Sequence, residues 1–219
     1  ENPKINRTHK IDYKSAKDAT LNENQVKPLL TEVDISSDNP IAHKENEFDD
    51  FSREILLPHK QSQNGPYISK GDVNGDGLED FYLSGAAGYA GQLYLQQENQ
   101  KFVLSNSQPW ARDKESEDLG SLLFDADNDN DLDLYVVSGG NEYDRGDRRY
   151  QDRFYRNDGK GNFTKDMSAI PDFKISGQSV IASDFDGDND LDLFVGGRLI
   201  PGKYPAPEDS YLLKNENGQ

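Results

Sequence analysis

Residues 125–133 read Asp125-Ala126-Asp127-Asn128-Asp129-Asn130-Asp131-Leu132-Asp133 and run straight into Leu134-Tyr135-Val136-Val137. An acidic side chain stands at every odd position of the nine, and the run that follows is aromatic and β-branched. That junction marks a polar loop opening into a β-strand. Just before it, Leu122-Leu123-Phe124 reads as a strand leading in. The pattern occurs twice more. Asp72-Val73-Asn74-Gly75-Asp76-Gly77-Leu78-Glu79-Asp80 precedes Phe81-Tyr82-Leu83. Asp184-Phe185-Asp186-Gly187-Asp188-Asn189-Asp190-Leu191-Asp192 follows Val180-Ile181-Ala182 and precedes Leu193-Phe194-Val195.

The copies keep register over a longer unit. Their loops start 53 and 59 residues apart. A Phe (Phe48, Phe102, Phe163) and a Pro (Pro58, Pro109, Pro171) precede the loops in the same order. Third strands are predicted at Gln92–Gln96, Arg153–Arg156 and Ser210–Leu213. Asn157-Asp158-Gly159-Lys160-Gly161 is a hairpin turn, and Phe102 and Phe163 mark fourth strands. Periods of this length suit four antiparallel strands per repeat, so the expected fold is all-β, built of propeller blades. Asn217-Gly218-Gln219 falls where the third unit's last turn is expected. Residues 1–43 are polar, rich in lysine and without repeat landmarks. They read as a linker or the end of a preceding module, with a weak structured reading at Val26 to Val33. About three blades are expected in residues 44–219.

The loops are suited to a hard cation. Ca²⁺ takes six to eight oxygen ligands in loose geometry. Positions 1, 3, 5 and 9 offer side-chain oxygens: Asp72, Asn74, Asp76 and Asp80; Asp125, Asp127, Asp129 and Asp133; Asp184, Asp186, Asp188 and Asp192. Position 7, which is Leu78, Asp131 or Asp190, adds a backbone carbonyl. Position 6 is Gly77, Asn130 or Asn189, residue types that tolerate a left-handed backbone. A single stretch of this kind is often only a solvated turn; three in register are not. An EF-hand or dockerin loop needs an acidic residue at position 12, which here is Leu83, Val136 or Val195. Mg²⁺ dehydrates too reluctantly for so crowded a protein cage. About three Ca²⁺ ions are expected, taking the formal charge from −17 to −11. Without them the crowded carboxylates are expected to bind protons more readily than isolated ones.

Composition sets the outer bounds. A net charge of −17 repels nucleic-acid phosphates and anionic lipid, so neither is an expected partner. The absence of cysteine removes disulfides, thiolate metal sites and cysteine nucleophiles. No apolar run approaches a membrane span. The chain opens Glu1-Asn2-Pro3 with no signal peptide, so a processed product or an excised piece is expected.

The loop D-x-[DN]-x-D-[GN]-x-x-D followed by an apolar strand resembles the FG-GAP/VCBS repeats of integrin α-subunits and bacterial surface proteins. The likeness covers roughly residues 44–219. A narrower one runs through residues 71–77, 138–142, 150–153 and 196–205. These are similar to large exported proteins of Bacteroidota that join such repeats to an ASPIC/UnbV module and are related to cartilage acidic protein. Asn6 to Ala16 weakly resembles the end of that module. The resemblance implies a seven-bladed calcium propeller, exported to the cell surface, the bacterial outer membrane or beyond. It departs at position 6, where two loops carry Asn in place of Gly.

No catalytic constellation accompanies the loops. His9, His43 and His59 are scattered and read as surface or hydrogen-bonding residues. Trp110 reads as packing, with a sugar-lining role as the alternative. Arg145, Arg148 and Arg149 read as a solvated insertion, with partner contact as the alternative. Arg198 and Lys203 lie in a Gly/Pro loop on a face where propellers bind ligands. Nothing Gly-rich matches a phosphate-binding loop. The expected role is binding or scaffolding of a protein or glycan. A calcium-dependent polysaccharide-active enzyme and a structural subunit of a larger outer-membrane assembly are the alternatives.

Overall fold

The computed structural model describes residues 28–35 and 40–216. Asn6–Ala16 with His9, the start of the Val26–Val33 stretch, and Asn217–Gln219 lie outside the described residues. The described residues fall into two units, divided between Val33 and Asp34. Residues 28–33 of the first unit are exposed and in neither strand nor helix.

The second unit holds three antiparallel meanders. Blade 1 is β1 (Ile68–Gly71), β2 (Asp80–Leu83), β3 (Gln92–Gln96) and β4 (Phe102–Leu104). Blade 2 is β5 (Glu117–Phe124), β6 (Asp133–Gly139), β7 (Arg153–Arg156) and β8 (Thr164–Lys165). Blade 3 is β9 (Gly177–Ser183), β10 (Asp192–Gly197) and β11 (Tyr211–Leu213). Each acidic loop joins a blade's first two strands at the same register. Gly71 pairs with Asp80, Phe124 with Asp133 and Ser183 with Asp192. The loop's ninth residue is thus the first residue of the second strand.

Period-two alternation carries the packing. Side chains at loop positions 2 and 11 face the next blade. Val73 and Tyr82 of blade 1, with Leu93, meet Leu123, Leu134, Val136 and Tyr155 of blade 2. Ala126 and Tyr135, with Phe154, meet Leu193 and Val195 of blade 3. The equivalent residues of blade 3, Phe185 and Phe194, are about half exposed, as are Ile181 and Leu212. Trp110 lies on a 3-10 turn, Pro109–Arg112, and packs edge-on against Tyr82 and Tyr155 and beside Phe163. It is buried between blades 1 and 2, which removes the sugar-lining alternative.

Phe48 is not a repeat landmark. Phe102 lies in β4 and Phe163 directly precedes β8, but Phe48 precedes a four-residue helix, α1 (Asp50–Arg53), capped by Asp49. It belongs to a strap, residues 40–66, that crosses the blade ends opposite the acidic loops. Along the strap, His43 bonds the Ser84 carbonyl and Asn46 donates to Glu142. Arg53 donates to the Asn141 and Tyr143 carbonyls, and Arg198 donates to the Gln61 carbonyl. Asp50 is buried, accepting from Ser62 and from the Asn141 amide. These side chains supply the hydrogen bonds that no β-ladder offers this segment.

Candidate metal loops

The three loops share one hydrogen-bonding scheme. Position 1 gathers backbone N–H groups across the turn. Asp72 accepts from Gly75 and Gly77, Asp125 from Asp129 and Asn130, and Asp184 from Gly187 and Asn189. Position 5 accepts from the N–H of position 7: Asp76 from Leu78, Asp129 from Asp131, Asp188 from Asp190. Two residues per loop have left-handed backbone. Position 6 (Gly77, Asn130, Asn189) does so as expected, and position 4 (Gly75, Asn128, Gly187) does so as well. Only Gly and Asn fill these places, the types for which that conformation costs least.

Position 9 works differently from the others. Asp80, Asp133 and Asp192 are buried. Each accepts from the backbone N–H of the residue at or just after the end of its blade's third strand: Gln96 at 2.8 Å, Asn157 at 2.8 Å and Asn215 at 2.8 Å. Asp80 and Asp192 also take the N–H of position 2, from Val73 and Phe185. The ninth carboxylate therefore ties the loop to the third strand.

The outer carboxylates converge. Asp125, Asp127 and Asp129 each place an oxygen within 4.8 Å of the others, and so do Asp184, Asp186 and Asp188. Loop 1 carries Asn74 at position 3, and its amide donates to Asp76. In loop 2 the Asp127 Oδ1 is buried and has no hydrogen-bond partner. An acceptor-only atom in that state calls for a cation or a donor. The residues present fit a hard divalent ion.

Protonation follows burial more than crowding. Burial raises Asp80 and pushes Asp133 up to about 7, with neighbouring carboxylates adding to both. Asp131 rises to about 6, from burial first and Asp129 next. Asp186 moves the opposite way, held down by its hydrogen bond from Lys214. The expectation of readier protonation therefore fails at Asp186.

Sequence reading missed two sets of residues. Arg156 and Lys214 occupy equivalent places at the end of the third strand region and supply cations to position 3. Arg156 lies 2.5 Å from Asp127, and Lys214 lies 3.0 Å from Asp186. Asn157 and Asn215 follow them and stitch blades together. The Asn157 amide donates to Val73 O of blade 1 and Leu132 O of blade 2. Asn215 donates to Ala126 O of blade 2 and Leu191 O of blade 3. The signal was present in the pairs Arg156-Asn157 and Lys214-Asn215, which begin 23 and 22 residues beyond the ninth Asp of their loops.

The other candidates are held within the chain. Arg145 pairs with Glu208, Arg148 with Glu115, and Arg149 with Asp147 while lying over the Tyr143 ring. They form no free basic patch. Arg198 is likewise committed to Gln61 of the strap, so the face carrying Arg198 and Lys203 is partly covered.

Meanders joined by acidic hairpins and packed face to face define a β-propeller-like repeat protein. The FG-GAP-like repeat model matches residues 72–136 and 125–195, which together span more than half of the chain. The protein belongs to the FG-GAP-like repeat family. No curated protein matches it. No helix among the described residues is long and apolar enough to cross a membrane.

Proposed function

We propose that this chain is a calcium-binding propeller module of an exported or cell-surface protein, acting in protein or glycan binding or scaffolding. Residues 44–219 form its propeller portion and residues 1–43 lead into it. Calcium would be held in each loop by positions 1, 3, 5 and 9 and by the position 7 carbonyl, about one ion per loop. The observation that carries this reading is loop 2, where Asp125, Asp127 and Asp129 converge around an oxygen with no donor. When bound, the ion would neutralise the carboxylates and stiffen each hairpin; ligand recognition is left to the surrounding loops. Export follows from the resemblance to Bacteroidota surface proteins, and a larger surface assembly is the partner that resemblance suggests.

The test is thermal melting with calcium and with a chelator. An ion that binds only the folded chain stabilises it by mass action, so calcium at about 100 times its Kd adds ~2.7 kcal/mol per site. A clear rise in melting temperature is expected, reduced in Asp125→Ala/Asp129→Ala. Equal melting with calcium and with chelator would overturn the reading.

A further inference from the structure

The strap end of the molecule carries a second acidic cluster, unrelated to the loops. Glu117 opens β5 and is only 1% exposed. Its Oε2 accepts from the Ala87 N–H at 2.6 Å, while its Oε1 is buried without a partner. Glu142 folds back beside it. A Cβ built on Gly140 would lie 2.2 Å from Glu142 Oε2 and 3.3 Å from the Glu117 Cβ, so only Gly leaves room for that approach. The strap supplies Glu45 and Asn46. Asn46 Nδ2 donates to Glu142 Oε1 at 3.2 Å, leaving Asn46 Oδ1 buried and unpartnered. Glu45 Oε1 meets His43 Nε2 at 2.9 Å, leaving Glu45 Oε2 in the same condition.

Three buried oxygens from three residues thus have no donor, and Arg153 Nε is a buried donor likewise without a partner. Arg153 pairs with Asp118 at 2.6 Å, and Arg198 is bonded to Gln61. Burial, then Glu142 and Glu45, push the Glu117 carboxyl up to about 9; burial pushes Glu142 up to about 7. A proton on Glu117 supplies one donor. It leaves the Asn46 and Glu45 oxygens unmet, at the cost that unpaired buried polar atoms carry. A hard divalent cation takes several such oxygens at once.

We propose that Glu45, Asn46, Glu117 and Glu142 form a further divalent-cation site, suited to a hard ion such as Ca²⁺, that fastens the strap to blade 2. Among the described residues, only the loop trios already have three acidic ligand oxygens within 4.8 Å of one another. Occupancy here therefore requires Glu45 or Glu142 to rotate inward. The site does not depend on the loops being occupied.

Equilibrium dialysis of the full chain against calcium tests this. The Glu117→Gln/Glu142→Gln variant should bind one ion fewer than the parent chain. Asp125→Ala/Asp129→Ala should lose a different ion and keep this one, so failure of the loop reading and failure of this site are distinguishable. An unchanged ion count in Glu117→Gln/Glu142→Gln would overturn the proposal. Should that variant not fold, crystals of the parent chain grown with Mn²⁺ decide. An anomalous peak beside Glu117 Oε1 supports the site, and its absence while Mn²⁺ is bound elsewhere overturns it.

Discussion

At the residue scale, the cations beside the loops set how the acidic hairpins behave. Lys214 lies 3.0 Å from Asp186 and 3.8 Å from Asp188, where it shares the carboxylates an ion would need. Removing that charge should leave the third loop more negative and a stronger cation trap. Lys214→Met is expected to tighten calcium binding at this loop several-fold and to lower stability without calcium. Titration with calorimetric readout checks it; weaker binding would mean that Lys214 positions the ligands rather than competing for them. Position 6 was legible from residue type alone, because Gly77, Asn130 and Asn189 stand at one register. Position 4 follows the same logic with Gly75, Asn128 and Gly187, but it shows only once backbone angles are known.

At the element scale, the strands were largely legible and their cross-links were not. Gln92–Gln96 and Arg153–Arg156 form as their alternation implies. Asn157 reads in sequence as the start of a hairpin turn, yet its amide reaches Val73, 84 residues away. Sequence shows periodicity within a repeat; it does not show which carbonyl a polar side chain reaches across a seam. Asn157→Ala leaves Val73 O and Leu132 O without this donor. It should cost about 1–3 kcal/mol in urea unfolding, in the range for orphaned buried acceptors. The calcium-induced rise in melting temperature should persist, because no proposed ligand is touched.

Asp152 gives a pH signature away from the loops. It is buried, accepts from the Tyr135 hydroxyl at 2.8 Å and the Ser138 N–H at 2.7 Å, and burial pushes its carboxyl up to about 7. Its unfolded value is about 3.9. A folded-state value above the unfolded one means that the folded chain holds the proton more tightly. The associated stability is full below about pH 4 and is lost as pH rises through about 7. Asp152→Asn keeps the shape and removes the titration, so its stability should fall less between pH 5 and 8 than that of the parent chain. Parallel slopes for the two in chemical denaturation would contradict this.

At the scale of the whole molecule, each blade is finished by its neighbour. Phe154 and Leu212 occupy equivalent places on β7 and β11, but Phe154 is 3% exposed against blade 3 and Leu212 is 51% exposed. Phe154→Ala should cost about 3–5 kcal/mol and Leu212→Ala less than about 1 kcal/mol. Similar costs would mean that the seam between blades is not where this residue's stabilisation resides. The repeat made the blades readable, since a register kept three times leaves few other arrangements. The strap was not readable, because Phe48 and Pro58 mimic landmarks of the repeat while Asp49, Asp50 and Asn141 build something else.

The most direct measurement is an anomalous-difference map from crystals grown with saturating calcium or manganese. Peaks are predicted inside all three hairpins, among Asp72, Asn74 and Asp76, among Asp125, Asp127 and Asp129, and among Asp184, Asp186 and Asp188. Hairpins with the same backbone but no peak among those side chains would contradict calcium binding by this chain.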